Sequence, residues 1–196
     1  MSDFSIYAET GLYYGLDMNR YLLILFLAML AIPYSIKDWK RVLLLAAIFS
    51  IGYLLSLLLS SFGIVVIKAK VVAFLIPITL LVTAVYNIFT AGKSSGKDAI
   101  NIIGFVLFFF GLVHGLGFSE SFKEVFSGSS SAKLWALFAF AIGIEGAVIT
   151  ILLLILILTY IIHTFFRLSK RDFIVVLSAF IMGVVIPVII GNEIWK

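Results

Sequence analysis

Long apolar stretches separated by short polar segments make up most of the chain. A helix needs about 20 mostly apolar residues to cross roughly 30 Å of hydrocarbon. The first apolar stretch is short for this purpose, and the fifth is so long that it must tilt or project from the bilayer. The pattern predicts an all-α, polytopic membrane bundle of about six transmembrane helices, at residues 20–36, 42–62, 71–90, 99–118, 134–163 and 173–190.

Composition supports the same class. The chain has 63% hydrophobic and 12% charged residues, with a mean hydropathy of +1.23. A soluble domain is closer to half apolar and one quarter charged, and a disordered chain is poor in large aliphatic residues. We therefore expect residues 1–196 to form a single integral membrane domain. The absence of cysteine excludes disulfides, iron–sulfur clusters and thiolate metal sites.

The basic residues predict an orientation. Cytoplasmic loops of membrane proteins carry an excess of Lys and Arg. Both termini are therefore predicted on the outer side, in a multi-pass protein of the cell (inner) membrane. The basic loops explain the net charge of +4 without nucleic acid, and the lipid bilayer, with its anionic lipid, is the expected partner. Eight of the 14 basic residues lie in the first, third and fifth loops: Lys37, Lys40, Arg41, Lys93, Lys97, Arg167, Lys170 and Arg171.

The outer loop at 119–132 has its own pattern. Phe118, Phe122, Val125 and Phe126 recur at helical spacing before a Gly-Ser run. This spacing predicts a short amphipathic helix that lies flat among the lipid headgroups, followed by a tether.

Two ionisable residues fall inside the predicted spans. Glu145 lies about 16 Å along the fifth span, close to the middle of the membrane, and Gly143 and Gly146 flank it. His114 lies near the outer end of the fourth span, within a GxxxG pattern that allows another helix to approach closely. Ionisable groups at membrane depth are costly, so each is a candidate functional residue.

Each candidate has a structural alternative. Glu145 must be paired, cation-bound or protonated, and Tyr53, at a similar depth in the second span, is its expected hydrogen-bond partner along a polar pathway. A protonated carboxyl that only links two helices is the alternative for Glu145. His114 is either a metal ligand or a histidine bonded to a carbonyl. Together the two groups make half of a metal site that suits nickel, cobalt or zinc.

No motif of a soluble enzyme is present. The chain lacks a P-loop, an HExxH motif and a serine-centred elbow with a supporting acid. We therefore expect that the protein is not an enzyme and that it carries no resident cofactor.

Several segments resemble the HupE/UreJ family of membrane proteins. Residues 110–118, with the sequence FGLVHGLGF, resemble a long motif of that family, and residues 140–146, FAIGIEG, resemble its later glutamate motif. Residues 37–40 and 49–53 look like the start and middle of its second span. Members are regarded as nickel or cobalt permeases. The resemblance implies the same membrane fold and a transported Ni²⁺ or Co²⁺ ion.

The chain also departs from that family. Tyr53 stands where the family has a histidine, and the region before the first span contains Glu9 and Asp17 but no histidine. The metal ligands that the resemblance leaves are His114, Glu145 and Asp17.

Several functions are consistent with the sequence. The first is a divergent transition-metal permease. The second is a non-transporting membrane subunit or scaffold that kept the fold and lost the ligands. A conduit for another cargo, such as protons with Glu145 as the titrating group, is a third, and an intramembrane enzyme is a more distant fourth.

Overall fold

The computed structural model describes residues 3–93, 97–126, 132–166 and 168–195. Seven α-helices account for nearly all of this part of the chain, and it contains no strand. The predicted all-α membrane bundle is confirmed. The helices are α1 (Asp3–Leu16), α2 (Tyr21–Ala31), α3 (Trp39–Ser61), α4 (Ala69–Thr90), α5 (Lys97–Val125), α6 (Lys133–Phe166) and α7 (Lys170–Ile190).

Five helices, α3 to α7, are each long and apolar enough to cross a membrane. The predicted first span at 20–36 differs from the structure. Its helix, α2, has 11 residues and extends about 17 Å, which is too short to cross alone. Together with α1, which meets α2 at a bend of 54°, it is long and apolar enough to form one broken crossing. Counted in this way, the described part contains six candidate crossings.

The bend between α1 and α2 follows from the polar run at 17–20. Asp17 is extended, and its carboxylate accepts a hydrogen bond of 2.9 Å from the backbone N–H of Asn19. Such a cap ends one helix and starts the next. Before the bend, the Tyr14 ring packs on Phe118, and after it the Phe26 ring packs on Phe49. The bend therefore lies between two segments that both pack against other helices of the bundle.

Glycines allow two pairs of helices to pack closely. A Cβ atom on Gly111 of α5 would collide with the backbone carbonyl of Phe49 on α3. A Cβ atom on Gly143 of α6 would collide in the same way with the carbonyl of Ala8 on α1. The close approach that the GxxxG pattern and Gly143 predicted is thus confirmed. Elsewhere, α4 packs on α2, α5 and α7, and α2 also packs on α6.

The predicted amphipathic helix in the outer loop is wrong as a separate element. The helix α5 continues without a break to Val125. Phe122 is fully buried, with its ring 5.5 Å from that of Phe140 and 6.4 Å from that of Tyr7. Phe122, in the middle of the predicted apolar face, therefore packs on α1 and α6, whereas Val125 is exposed. The predicted tether lies largely in 127–131, outside the described residues.

Candidate functional site

The carboxyl group of Glu145 joins α6 to α3. The hydroxyls of Ser50 and Tyr53 each donate a hydrogen bond of 2.7 Å to Oε2 of Glu145. The expected partnership between Tyr53 and Glu145 is confirmed. Among the described residues, no hydrogen bond reaches Oε1.

Helix periodicity explains how α3 supplies both donors. Ser50 and Tyr53 are three positions apart and therefore lie on the same face of the helix. Both side chains are buried, while Glu145 is half-buried. Gly52 contacts α5 instead, because a Cβ atom there would collide with the carbonyl of Phe108. Gly52 of α3 thus packs on α5, while the Ser50 and Tyr53 hydroxyls of the same helix bind the carboxyl group of Glu145.

His114 on α5 occupies a second polar position. Its side chain is 2% exposed, and its Nε2 lies 3.2 Å from Oγ1 of Thr79 on α4. The Thr79 hydroxyl already donates to the carbonyl of Ile76 at 2.7 Å. With the Thr79 hydroxyl proton assigned to that carbonyl, the hydrogen-bond network assigns a proton to Nε2, which then donates to Thr79. This tautomer leaves a lone pair on Nδ1.

Aromatic rings surround the imidazole and connect it with the Glu145 site. The His114 ring lies 4.7 Å from that of Phe26, 5.4 Å from that of Phe49 and 6.5 Å from that of Phe118. Phe49 and Phe118 also pack on Tyr53, at 5.8 and 5.4 Å. The two polar positions therefore share aromatic neighbours. No hydrogen bond links His114 to Glu145 in the part of the chain that is described.

Asp17 lies at the bend between α1 and α2, with different neighbours. Its carboxylate oxygen is 3.8 Å from Nε of Arg20. The guanidinium of Arg20 also stacks over the Tyr14 ring at 3.7 Å and donates to its hydroxyl at 2.6 Å. This contact network holds the bend and includes neither His114 nor Glu145.

The three predicted metal ligands thus have separate partners. Within the described ranges, no three His, Asp or Glu side chains come together in a way that could hold a metal ion. Their role as ligands stays a prediction. Sequence reasoning missed the contributions of Ser50 and Thr79. The spacing of Ser50, one turn before Tyr53, was a signal that could have identified it.

Five apolar helices and one bent pair, with a half-buried carboxyl and a buried imidazole among them, define an integral, multi-pass helical membrane protein. The family model described as HupE / UreJ protein matches residues 6–191. Since this match covers nearly the whole chain, the protein belongs to the HupE/UreJ family. No curated protein and no solved structure matches the chain.

Proposed function

We propose that the protein is a permease for a divalent transition-metal cation, Ni²⁺ or Co²⁺, with Glu145 as the residue that carries the cation across the middle of the membrane. The observation that supports this most is the geometry of the carboxyl group. Two hydroxyls fix one oxygen, and the other is free of hydrogen bonds among the described residues. An intramembrane carboxyl with a free oxygen can exchange a proton for a cation.

The exchange uses only groups that the site contains. Without a cation, the proton resides on Oε1 while Oε2 accepts the hydrogen bonds from Ser50 and Tyr53. When a cation arrives, Oε1 releases its proton to the aqueous phase and coordinates the ion. The site without a cation is then neutral, and in the loaded site the carboxylate offsets one of the two positive charges of the ion, which lowers the cost of holding the ion in the bilayer.

His114 supplies the second coordinating group of the proposal. The lone pair on Nδ1 is a borderline ligand that suits nickel and cobalt. We place His114, Glu145 and Asp17 along the route, with Tyr53 as a polar residue of the pathway. A permease must release its ion again, so weak, successive contacts are suited to conduction. We also propose the predicted location in the cell (inner) membrane, with both termini outside.

A second function is favoured by the separation of the predicted ligands. Tyr53 replaces an imidazole with a phenol, and in the described part of the chain the ligands do not form a group of three. These features also suit a non-transporting membrane subunit that retains the family fold. In that case the hydrogen bonds to Glu145 serve only to join α3 to α6.

Ion flux into proteoliposomes tests the proposal. We expect the wild type to admit Ni²⁺ or Co²⁺, and Glu145→Gln to reduce the rate at least tenfold. The matched control is Glu124→Gln, an exposed carboxyl at the end of α5. If Ni²⁺ and Co²⁺ enter vesicles with the wild-type protein no faster than protein-free vesicles, the result would favour the non-transporting membrane subunit. Proton flux without metal flux would indicate the proton conduit.

A further inference from the structure

A cavity of about 460 Å³ lies between α2, α4, α5 and α7. Its volume is within the range of about 300–1,000 Å³ that small-molecule sites occupy. Most of its lining is apolar, and this part includes Leu30, Val106, Leu107 and Phe110. It does not include Glu145 or His114. The cavity is therefore separate from the site described above.

The mouth of the cavity is positively charged. Lys93 and Lys170 both line it. The side chain of Arg171 lies against Gly92, another lining residue, since a Cβ atom on that glycine would be 3.4 Å from Cδ of Arg171. Three cationic side chains thus gather around one opening.

Arg41 adds a fourth charge, and two of its donor atoms have no acceptor among the described residues. Its guanidinium lies 5.3 Å from the ring of Tyr34, which also lines the cavity. Its Nε and Nη2 atoms are buried and have no hydrogen-bond partner among the described residues. Buried donors of a charged group are costly to leave unsatisfied, so an anion is expected here. We use the name basic rim for Arg41, Lys93, Lys170 and Arg171.

The basic rim is compensated only in part: after the hydrogen bonds from Ser35, the charges of Lys170 and Arg41 help to lower the pKa of the Asp38 carboxyl. Asp38 and Asp172 lie at the same end of the bundle, but neither forms an ion pair with the rim there. Instead, the Asp38 carboxylate accepts hydrogen bonds of 2.9 and 2.7 Å from the backbone and hydroxyl of Ser35. Burial raises the pKa of the Tyr34 phenol above its ordinary value, more than the nearby Arg41 lowers it. The phenol stays neutral and can donate a hydrogen bond.

The side wall of the cavity faces the surface that contacts lipid. Val82, Tyr86 and Ile102 line the cavity and are also 46%, 40% and 68% exposed. In the described part, α5 and α7 make no extended contact with each other, although both border the cavity. A long apolar chain can therefore enter sideways from the bilayer.

We propose that this cavity is a binding site for an anionic phospholipid, whose acyl chain fills the apolar cavity and whose phosphate lies on the basic rim. Apolar lining beneath a cationic mouth matches the two ends of such a molecule. Basic pockets between helices recognise anionic headgroups in this way. The same charge repels metal cations, so this opening is not the route of the proposed permease.

Native mass spectrometry of the purified protein tests the proposal. The probes are phosphatidylglycerol and phosphatidylcholine with identical acyl chains. We expect phosphatidylglycerol to be retained preferentially, and K93Q/K170Q to weaken its retention by about tenfold. The matched control is K37Q/K40Q, which removes two exposed charges from the same end without touching the cavity. It should change retention by less than about twofold.

A second pair of variants tests the acyl chain. Val106→Trp fills the cavity and should reduce retention, while Val176→Trp, on the exposed surface of α7, should not. Equal losses in both lysine double variants, or equal retention of the two lipids, would overturn the proposal. Displacement of the lipid by soluble glycerol phosphate at similar concentration would identify a free phosphate ester as the ligand, and would also overturn it. If Val106→Trp fails to fold, the comparison of K93Q/K170Q with K37Q/K40Q still tests whether the basic rim binds the lipid phosphate.

Discussion

The hydroxyl of Tyr53 donates a hydrogen bond of 2.7 Å to Oε2 of Glu145, and this bond joins α3 to α6 within the membrane. The same oxygen accepts the hydroxyl of Ser50. A carboxyl group held by two neutral donors has a fixed position and one available oxygen. Its neighbours therefore suit both a structural link and the exchange of a proton for a cation.

Two substitutions of Glu145 should show how much the shape of its side chain and how much its charge contribute to the stability of the protein. Glu145→Gln keeps an oxygen that can accept both hydroxyls, so we expect a loss of unfolding free energy below about 1 kcal/mol. Glu145→Lys places a cation among groups that cannot pair with it and should cost about 3 kcal/mol. Thermal unfolding in detergent measures both. Glu124→Lys, at an exposed position, is the control and should have little effect.

The contact between α3 and α5 should be sensitive to a single methyl group. Gly111→Ala would place a Cβ atom against the carbonyl of Phe49, and we expect a loss of about 1–3 kcal/mol. Gly183→Ala on α7 is the matched control, because nothing lies within 4 Å of its Cβ position. Chemical unfolding of the two variants checks this prediction. Equal stability of both would contradict the close packing of the two helices.

An imidazole at position 53 should strengthen nickel binding. Phenol is a poor replacement for imidazole with this metal, so we expect weak binding by the wild type. Tyr53→His should raise the affinity by on the order of tenfold, since a borderline ligand would then lie beside Glu145. Tyr160→His, on the exposed face of α6, controls for the added histidine. Calorimetry that detects tight, stoichiometric nickel binding to the wild type would refute the prediction.

Orientation can be tested by thiol labelling, because the chain contains no cysteine. With the basic end of the bundle inside, Val66→Cys should react with an impermeant reagent applied to intact cells, and Lys37→Cys should react only after lysis. Both positions are exposed. The opposite labelling pattern would show that the termini face inward.

Most of the fold could be predicted because the apolar runs are long. The predicted second, third, fifth and sixth spans agree with α3, α4, α6 and α7 within about one helical turn. The first span could not be predicted, since the polar run at 17–20 resembles a loop before a helix. The inclusion of α1 in this span depends on the packing of Tyr14 and Phe26 against other helices. The length of α5 was missed because the partners of Phe122 lie on α1 and α6.

The site was predictable only in part. Similar depth in two spans was enough to pair Tyr53 with Glu145. The bond between His114 and Thr79 depends on how α4 and α5 are rotated relative to each other, which single-span patterns do not define. Asp17 was grouped with the ligands through a family resemblance, whereas its contacts are with Asn19 and Arg20 at the bend.

Infrared difference spectroscopy tests the central claim, that Glu145 exchanges a proton for a cation, most directly. Wild-type protein at neutral pH without metal should show the C=O stretch of a protonated carboxyl that is absent from Glu145→Gln. Addition of Ni²⁺ or Co²⁺ should remove this band and produce a carboxylate band, while Mg²⁺ at the same concentration should leave it unchanged. A Glu145 carboxylate band in metal-free protein, or a protonated band that persists with bound nickel, would contradict the account.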